Sequence, residues 1–257
     1  MRRTIVFIFM VTSLVTMIFA QTLPVTRYAF DGKFKHSKIT VSIWVEETAD
    51  GYLSGEIVYT SSKHKTPIRV FGSVYDLPDG NHQLSLTEYQ ANGSQSGFLT
   101  IKKASKTGAL SGEWRDLGFD DKQRTYAIQL TEVPFPKDKG GTFTYSDDIT
   151  GNYVYSHPHH TKGEQGGAVE IYNLKGAPGK VSLHISKYDP QLAEYESNVY
   201  FDNSCYSDEM EECGYRFKVE VFQDFVLVKT TSDPEQSYDC FGAWTTLAGF
   251  YLKTESH

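Results

Sequence analysis

Between residues 28 and 132, apolar and polar positions alternate with a period of two, broken at short intervals by turn-forming residues. Ile39, Val41, Ile43 and Val45 fall on one face, with Thr40, Ser42, Trp44 and Glu46 on the other. Asp50-Gly51 tolerates the positive φ of a tight connection, so Leu53, Gly55, Ile57 and Tyr59 read as the return strand of a hairpin. The pattern continues through Ile68, Val70, Gly72 and Val74, a turn at 77–81, and then Leu84, Leu86 and Glu88. Asn92-Gly93 turns the chain into Gly97, Leu99 and Ile101. Leu110, Gly112 and Trp114 follow, and Tyr126, Ile128 and Leu130 complete about eight strands with no helical period.

One tetrapeptide occurs twice in this stretch, as Leu53-Ser54-Gly55-Glu56 and Leu110-Ser111-Gly112-Glu113, with a looser copy at Ser96-Gly97-Phe98. A glycine inside an alternating strand marks a bend or a close backbone approach, as tightly curved antiparallel sheets require. Two prolines, charges and Gly140-Gly141 break the alternation after residue 132 and read as a linker. Alternation resumes at Gly151-Asn152-Tyr153 and runs through Val181, Leu183 and Ile185 to Gly249-Phe250-Tyr251. The pattern predicts an all-β chain of two small antiparallel domains, barrels or sandwiches of lipocalin-like meander type, at 21–133 and 150–257, with the linker at 134–149. The Gly-bearing runs at Gly151 and Tyr251 bracket the second domain, so its first and last strands are expected to pair.

Residues 5–18 form an apolar run behind Arg2 and Arg3, ending at Phe19-Ala20, which reads as a secretory signal peptide over residues 1–20. The run is shorter than the roughly 20 residues of a spanning helix, and no later stretch is long and apolar enough to be one. Loss of Arg2 and Arg3 takes the net charge from −7 to −9, which disfavours nucleic acid and anionic membrane surfaces as partners. Three cysteines, Cys205, Cys213 and Cys240, fit an oxidising compartment with one disulfide. A Cys213–Cys240 bridge would staple neighbouring strands, while Cys205–Cys213 would close a small acidic loop. Cys213–Cys240 is the expected bridge, although spacing alone does not fix the connectivity.

The last third resembles the C-terminal part of uncharacterised exported proteins of Gram-negative bacteria, in Cys213-Gly214-Tyr215-Arg216-Phe217, Cys240-Phe241-Gly242 and Gly249-Phe250-Tyr251. Residues 28–132, including Leu86-Thr87-Glu88, look like the companion pattern. Some proteins of this type are grouped with lysozyme inhibitors, so the resemblance implies binding rather than catalysis. The chain departs from the pattern at Phe241-Gly242-Ala243, where Gly-Phe-Gly is expected, and in carrying Cys205.

Few residues point to chemistry. Glu88 is the one charge on an otherwise apolar face, where a carboxylate facing a barrel interior could orient a ligand. Trp44, on the outward face, could stack on a sugar or anchor a partner. His157, His159 and His160, near Glu164, form the densest imidazole group and are the candidate metal ligands, although a polar loop is the preferred reading of them. The acidic run at 207–212 lacks calcium-loop spacing and reads as a solvated hairpin tip. Glu56 and Glu113 read as solvated too. No Gly-x-Ser-x-Gly or His-Glu-x-x-His occurs, and the single Ser62-x-x-Lys65 match is what chance supplies. These features describe an exported binding protein without a cofactor, of inhibitor type against an extracytoplasmic enzyme, its partner a protein or glycan. A carrier of a small apolar or glycan ligand in the barrel is the alternative, and a hydrolase with dispersed residues the third reading.

Overall fold

The computed structural model describes residues 21–63, 65–104, 107, 109–117, 124–157, 166–188, 191–232, 234–242 and 245–254. The run read as a signal peptide lies outside them. Two antiparallel sheets hold nearly all the regular structure, as the alternation predicts. In the first, β1 (Val25–Phe34), β2 (Thr40–Thr48), β3 (Tyr52–Tyr59), β4 (Ile68–Asp76), β5 (His82–Tyr89), β6 (Gln95–Lys103), β7 (Leu110–Asp116) and β8 (Thr125–Glu132) follow one another around a closed barrel. β1 closes it against β8, with Phe30 opposite Glu132 and Phe34 opposite Ile128.

Eight strands enclose a space that side chains can fill, and here Phe30, Ile43, Leu53, Ile57, Val70, Leu86, Leu99 and Ile101 fill it. Such tight closure brings strands together at the inward glycines. A Cβ on Gly55 would stand 2.0 Å from the Trp44 carbonyl oxygen, and one on Gly72 1.8 Å from that of Ser85. Backbone at that distance admits no side chain. Gly112 serves differently: its Cβ would meet the Leu130 side chain at 2.7 Å, so this glycine makes room for a core leucine. The two tetrapeptides thus share an inward-facing glycine, at a close backbone approach in the first and beside a core side chain in the second.

The second sheet contains β9 (Gly151–Ser156), β10 (Gly166–Asn173), β11 (Lys180–Tyr188), β12 (Leu192–Tyr200), β13 (Cys205–Met210), β14 (Tyr215–Val221), β15 (Phe225–Thr230) and β16 (Gly249–Thr254). Its order is β12-β11-β10-β9-β16-β15-β14-β13. First and last strands do pair, Val154 opposite Leu252, but in the middle of the sheet. The seam falls between β12 and β13, which turn through Asn203 and Ser204 at positive φ and share only the Asp202–Cys205 bridge. Side chains close the seam instead. Asp208 accepts hydrogen bonds from Tyr195 and Tyr206, and Tyr195 packs on Phe217 with ring centroids 4.8 Å apart. The acidic run at 207–212 is therefore not simply a solvated tip. Burial works to raise the Asp208 pKa, but the two tyrosine hydrogen bonds outweigh it and hold the carboxyl below its ordinary value.

Strand periodicity missed a short helix, α1 (Pro234–Phe241). Its signal is Asp233-Pro234, a cap-type residue followed by proline at the first helical position. Cys240 lies on this helix and is bonded to Cys213 in the β13–β14 turn, so the bridge ties the helix to that turn instead of stapling two neighbouring strands. Cys205 remains a free thiol.

The stretch 134–149, read as a linker, is packed between the barrels. Phe143 is fully buried between Phe222 and Phe225, at 5.3 and 5.8 Å, and Tyr145 stacks on Phe222 at 4.9 Å. Register places Glu220, Leu227 and Phe250 on one outward face of the second sheet. That face meets the outer wall of the first barrel, where Phe71 lies 4.8 Å from Phe225 and 4.9 Å from Phe250. β15 is consequently buried on both faces, which its unbroken run Phe225-Val226-Leu227-Val228 already encodes.

A buried ion network pins this interface. Lys229 Nζ lies 2.6 Å from Glu220 and 2.9 Å from Asp50 of the first barrel, and Lys218 Nζ lies 2.6 Å from Glu220. Burial works to raise the Glu220 pKa, but hydrogen bonds from Lys218 and Lys229 prevail and hold it below the ordinary value. A carboxyl depressed in the folded state contributes stability above its unfolded pKa, and this is lost as pH falls through the folded value. Lys229→Ala, which removes one of the two lysines 2.6 Å from Glu220 and the one that also reaches Asp50, is expected to cost up to about 3 kcal/mol at neutral pH. Glu220→Gln with Lys229→Met should recover most of that, and the double variant should lose less stability on acidification than the parent. Urea unfolding at both pH values checks this. Cys213→Ser with Cys240→Ser should lower the unfolding free energy by about 3 kcal/mol in the same assay.

Candidate functional site

In a meander barrel the odd strands end where the even strands begin, so one rim collects the C-terminal residues of β1, β3, β5 and β7. The starts of the even strands reach the same rim. Packing of the interior stops there. Phe34, Tyr59, Trp114 and Tyr126 wall an opening of about 680 Å³, with Ile39 at its lip and Glu88 on its floor. The rings form one cluster, Phe34 standing 6.3 Å from Tyr59, 6.1 Å from Trp114 and 6.1 Å from Tyr126. Asp116 and Arg124 complete the charged lining.

Glu88 does point inward after Leu84 and Leu86, as the alternation predicts, and only 2% of its surface is exposed. Tyr59 Oη donates to Oε1 at 2.5 Å, Trp114 Nε1 donates to the same oxygen at 3.0 Å, and Ser96 Oγ donates to Oε2 at 3.3 Å. Gly97 makes this cluster possible, since a Cβ there would lie 2.6 Å from both Glu88 Oε2 and Trp114 Nε1. Burial pushes the Glu88 pKa up, the three donors pull against it without cancelling it, and the Asp116 charge adds to the rise. The Tyr59 hydroxyl is raised as well, by burial first and then by the Glu88 charge.

The other sequence candidates stand elsewhere. Trp44 is on the outer wall, as its position in the alternation requires, yet it offers no free ring to a glycan or partner. The segment after β8 covers it with Val133 and Phe135, Lys139 Nζ lies 4.7 Å from its ring centroid, and 9% of the residue is exposed. Glu56 is not solvated either, accepting from Trp44 Nε1 and Lys139 Nζ, each at 3.1 Å. Glu113 is exposed as expected. Of the three histidines, His157 is half-buried just after β9, and His159 and His160 lie outside the described residues. No cluster of three potential metal ligands occurs among the described residues.

Tyr59, Ser96, Trp114 and Tyr126 were not read from the sequence as site residues. Tyr59 and Trp114 do fall on inward faces by periodicity. Bringing them together needs the register across strands that are distant in sequence, which no single strand reveals. A second cleft, of about 430 Å³, lies between the barrels beside Tyr52, Phe71, Tyr89 and Phe250, and no charged side chain lines it.

A carboxyl with a raised folded-state pKa binds its proton more tightly in the native state, so its contribution weakens stability as pH rises above the ordinary carboxylate range. Glu88→Gln keeps the shape and removes the charge. The variant is expected to be more stable than the parent at about pH 8 and to lose that advantage near pH 4, where the unfolded carboxyl also holds its proton. Thermal unfolding at the two pH values checks it; a variant less stable at both contradicts it.

No protein-family model matches the chain, and no curated protein matches it. Two solved structures align with it, the crystal structure of MucB in complex with MucA(peri) and the complex structure of Pseudomonas aeruginosa MucA/MucB. Each covers 90% of this chain and 94% of the other, at 9% identity and a TM-score of 0.20. A likeness at that level carries no argument about fold or function.

Proposed function

We propose that the chain is an exported binding protein whose ligand seat is the mouth of the first barrel. The observation that carries this reading is a carboxylate buried at the floor of an open, aromatic-walled recess, where burying a charge has a cost that packing alone does not explain. The Cys213–Cys240 disulfide supports an oxidising, extracytoplasmic setting. The filled interior below Glu88 argues against a carrier that swallows a long apolar chain, and favours a ligand that inserts one head group. Binding, not turnover, is the role assigned to Glu88, whose donors hold it in place.

A protein partner has its own support on the second sheet. On the outer face of β10, β11 and β12, Tyr188 and Leu192 stand exposed and directly opposite each other at one end, an apolar spot suited to an inhibitor-type contact, while Tyr172 and Tyr200 are exposed at the other end, beyond His184, Glu194 and Glu196. Tyr188→Lys with Leu192→Lys is expected to abolish capture of such a partner while leaving the barrel mouth unaffected.

The mouth is tested by ligand-observed NMR with small amines, monosaccharides and aromatic fragments. Hits are expected to shift the Trp114 indole N–H resonance and to weaken in Trp114→Phe. Hits that leave this resonance unmoved throughout place the seat elsewhere.

A further inference from the structure

Resting on the reading of the barrel mouth as a ligand seat, we propose that it binds an organic cation, an ammonium head group held against the Trp114 and Tyr59 rings with Glu88 as its counter-ion. The argument begins with how this chain treats its buried glutamates. Glu46, 1% exposed, has Arg27 Nε at 3.0 Å and accepts from the Thr142 backbone N–H at 2.8 Å. Glu220, 2% exposed, has two lysines. Glu88 is buried as deeply, yet among the described residues no lysine, arginine or histidine forms an ion pair with it. Its donors are neutral, and the nearby charge that acts on it is a second carboxylate, Asp116. Arg124 and His36 also line the opening; Arg124 is exposed, and neither makes an ion pair with Glu88.

A charge out of water needs an opposite charge, and among the described residues the side left open is the mouth. Aromatic faces present negative potential, so the walls that would repel an anion attract a cation. Sugar hydroxyls fit less well. Three donors already occupy the carboxylate's acceptor sites, which leaves little for further hydroxyls, whereas a cation gains from the charge itself. Glu88 thus stands as the half of an ion pair whose other half arrives with the ligand.

The head group could belong to a small quaternary ammonium solute or to a lysine side chain of a polypeptide, and one titration series separates them. Calorimetry on the mature protein uses choline, its neutral isostere 3,3-dimethylbutanol, Nα-acetyl-lysine methylamide and glucose. Choline or the lysine derivative is expected to bind at least tenfold more tightly than dimethylbutanol, and the tighter of the two names the source. Glu88→Gln, verified as folded by its unfolding curve, should lose at least tenfold in affinity for the cation. Equal or tighter binding of dimethylbutanol or glucose, with the Trp114 indole resonance shifting, overturns the cation and keeps the seat. Absence of binding by all four, with that resonance unmoved, overturns both.

Discussion

A closed barrel of eight strands has to be filled by its own side chains, and that constraint sets both the stability and the chemistry of this protein. Inward glycines let neighbouring strands approach closely enough to close, as at Gly55 and Gly72, or leave volume for a larger neighbour, as at Gly112. The packing they permit runs from Phe30 through Leu86 to Ile101 and then stops at one rim. Beyond it the same inward face continues as Tyr59, Glu88 and Trp114, too polar to be core and too buried to be surface. Gly97 belongs to this group by a different route, since its missing side chain is what lets the carboxylate and the indole meet.

The second barrel solves the same problem with larger residues. Tyr153, Tyr215, Phe217 and Tyr251 fill it, and tyrosine hydroxyls find polar partners within, as Tyr251 does with the Leu247 carbonyl. Its outward face on β14, β15 and β16 then packs against the first barrel through Phe71, so one hydrophobic cluster spans both sheets. The packed segment around Phe143 makes the pair a single body instead of two beads on a string. Against that economical interior, Glu46 and Glu220 show how the chain normally neutralises a buried carboxylate, and Glu88 shows a site where it does not. Stability given up at one position, with the packing around it intact, is the usual mark of a group kept for binding.

Much of the fold was legible from period-two alternation, because each strand has one face toward a core. Asp50-Gly51 and Asn92-Gly93 supplied hairpin chemistry, and Glu88 announced itself as a charge on an apolar face. What escaped were features that depend on several strands at once. Trp44 looked exposed because its strand alone cannot show that Phe135 and Lys139 return to cover it. Glu56 looked solvated for the same reason, its partners lying on other elements, and Asp208 because Tyr195 reaches it from another strand. The helix at Pro234 escaped because its signal is a cap and a proline, not a period. Cross-strand register, invisible in any one segment, is what turns Tyr59, Ser96, Trp114 and Glu88 from scattered residues into a site.

The most direct measurement is the titration of the Glu88 side-chain carboxyl, followed by its carbon-13 resonance in the free protein and again with saturating choline. Tyr59, Asp116, Arg124 and His36 share the recess, so the resonance is assigned with Glu88→Gln. The account predicts a pKa above the ordinary carboxylate range in the free protein, falling when the ammonium binds and supplies the missing positive charge. A Glu88 that titrates normally without ligand, and does not respond to the cation, would contradict it.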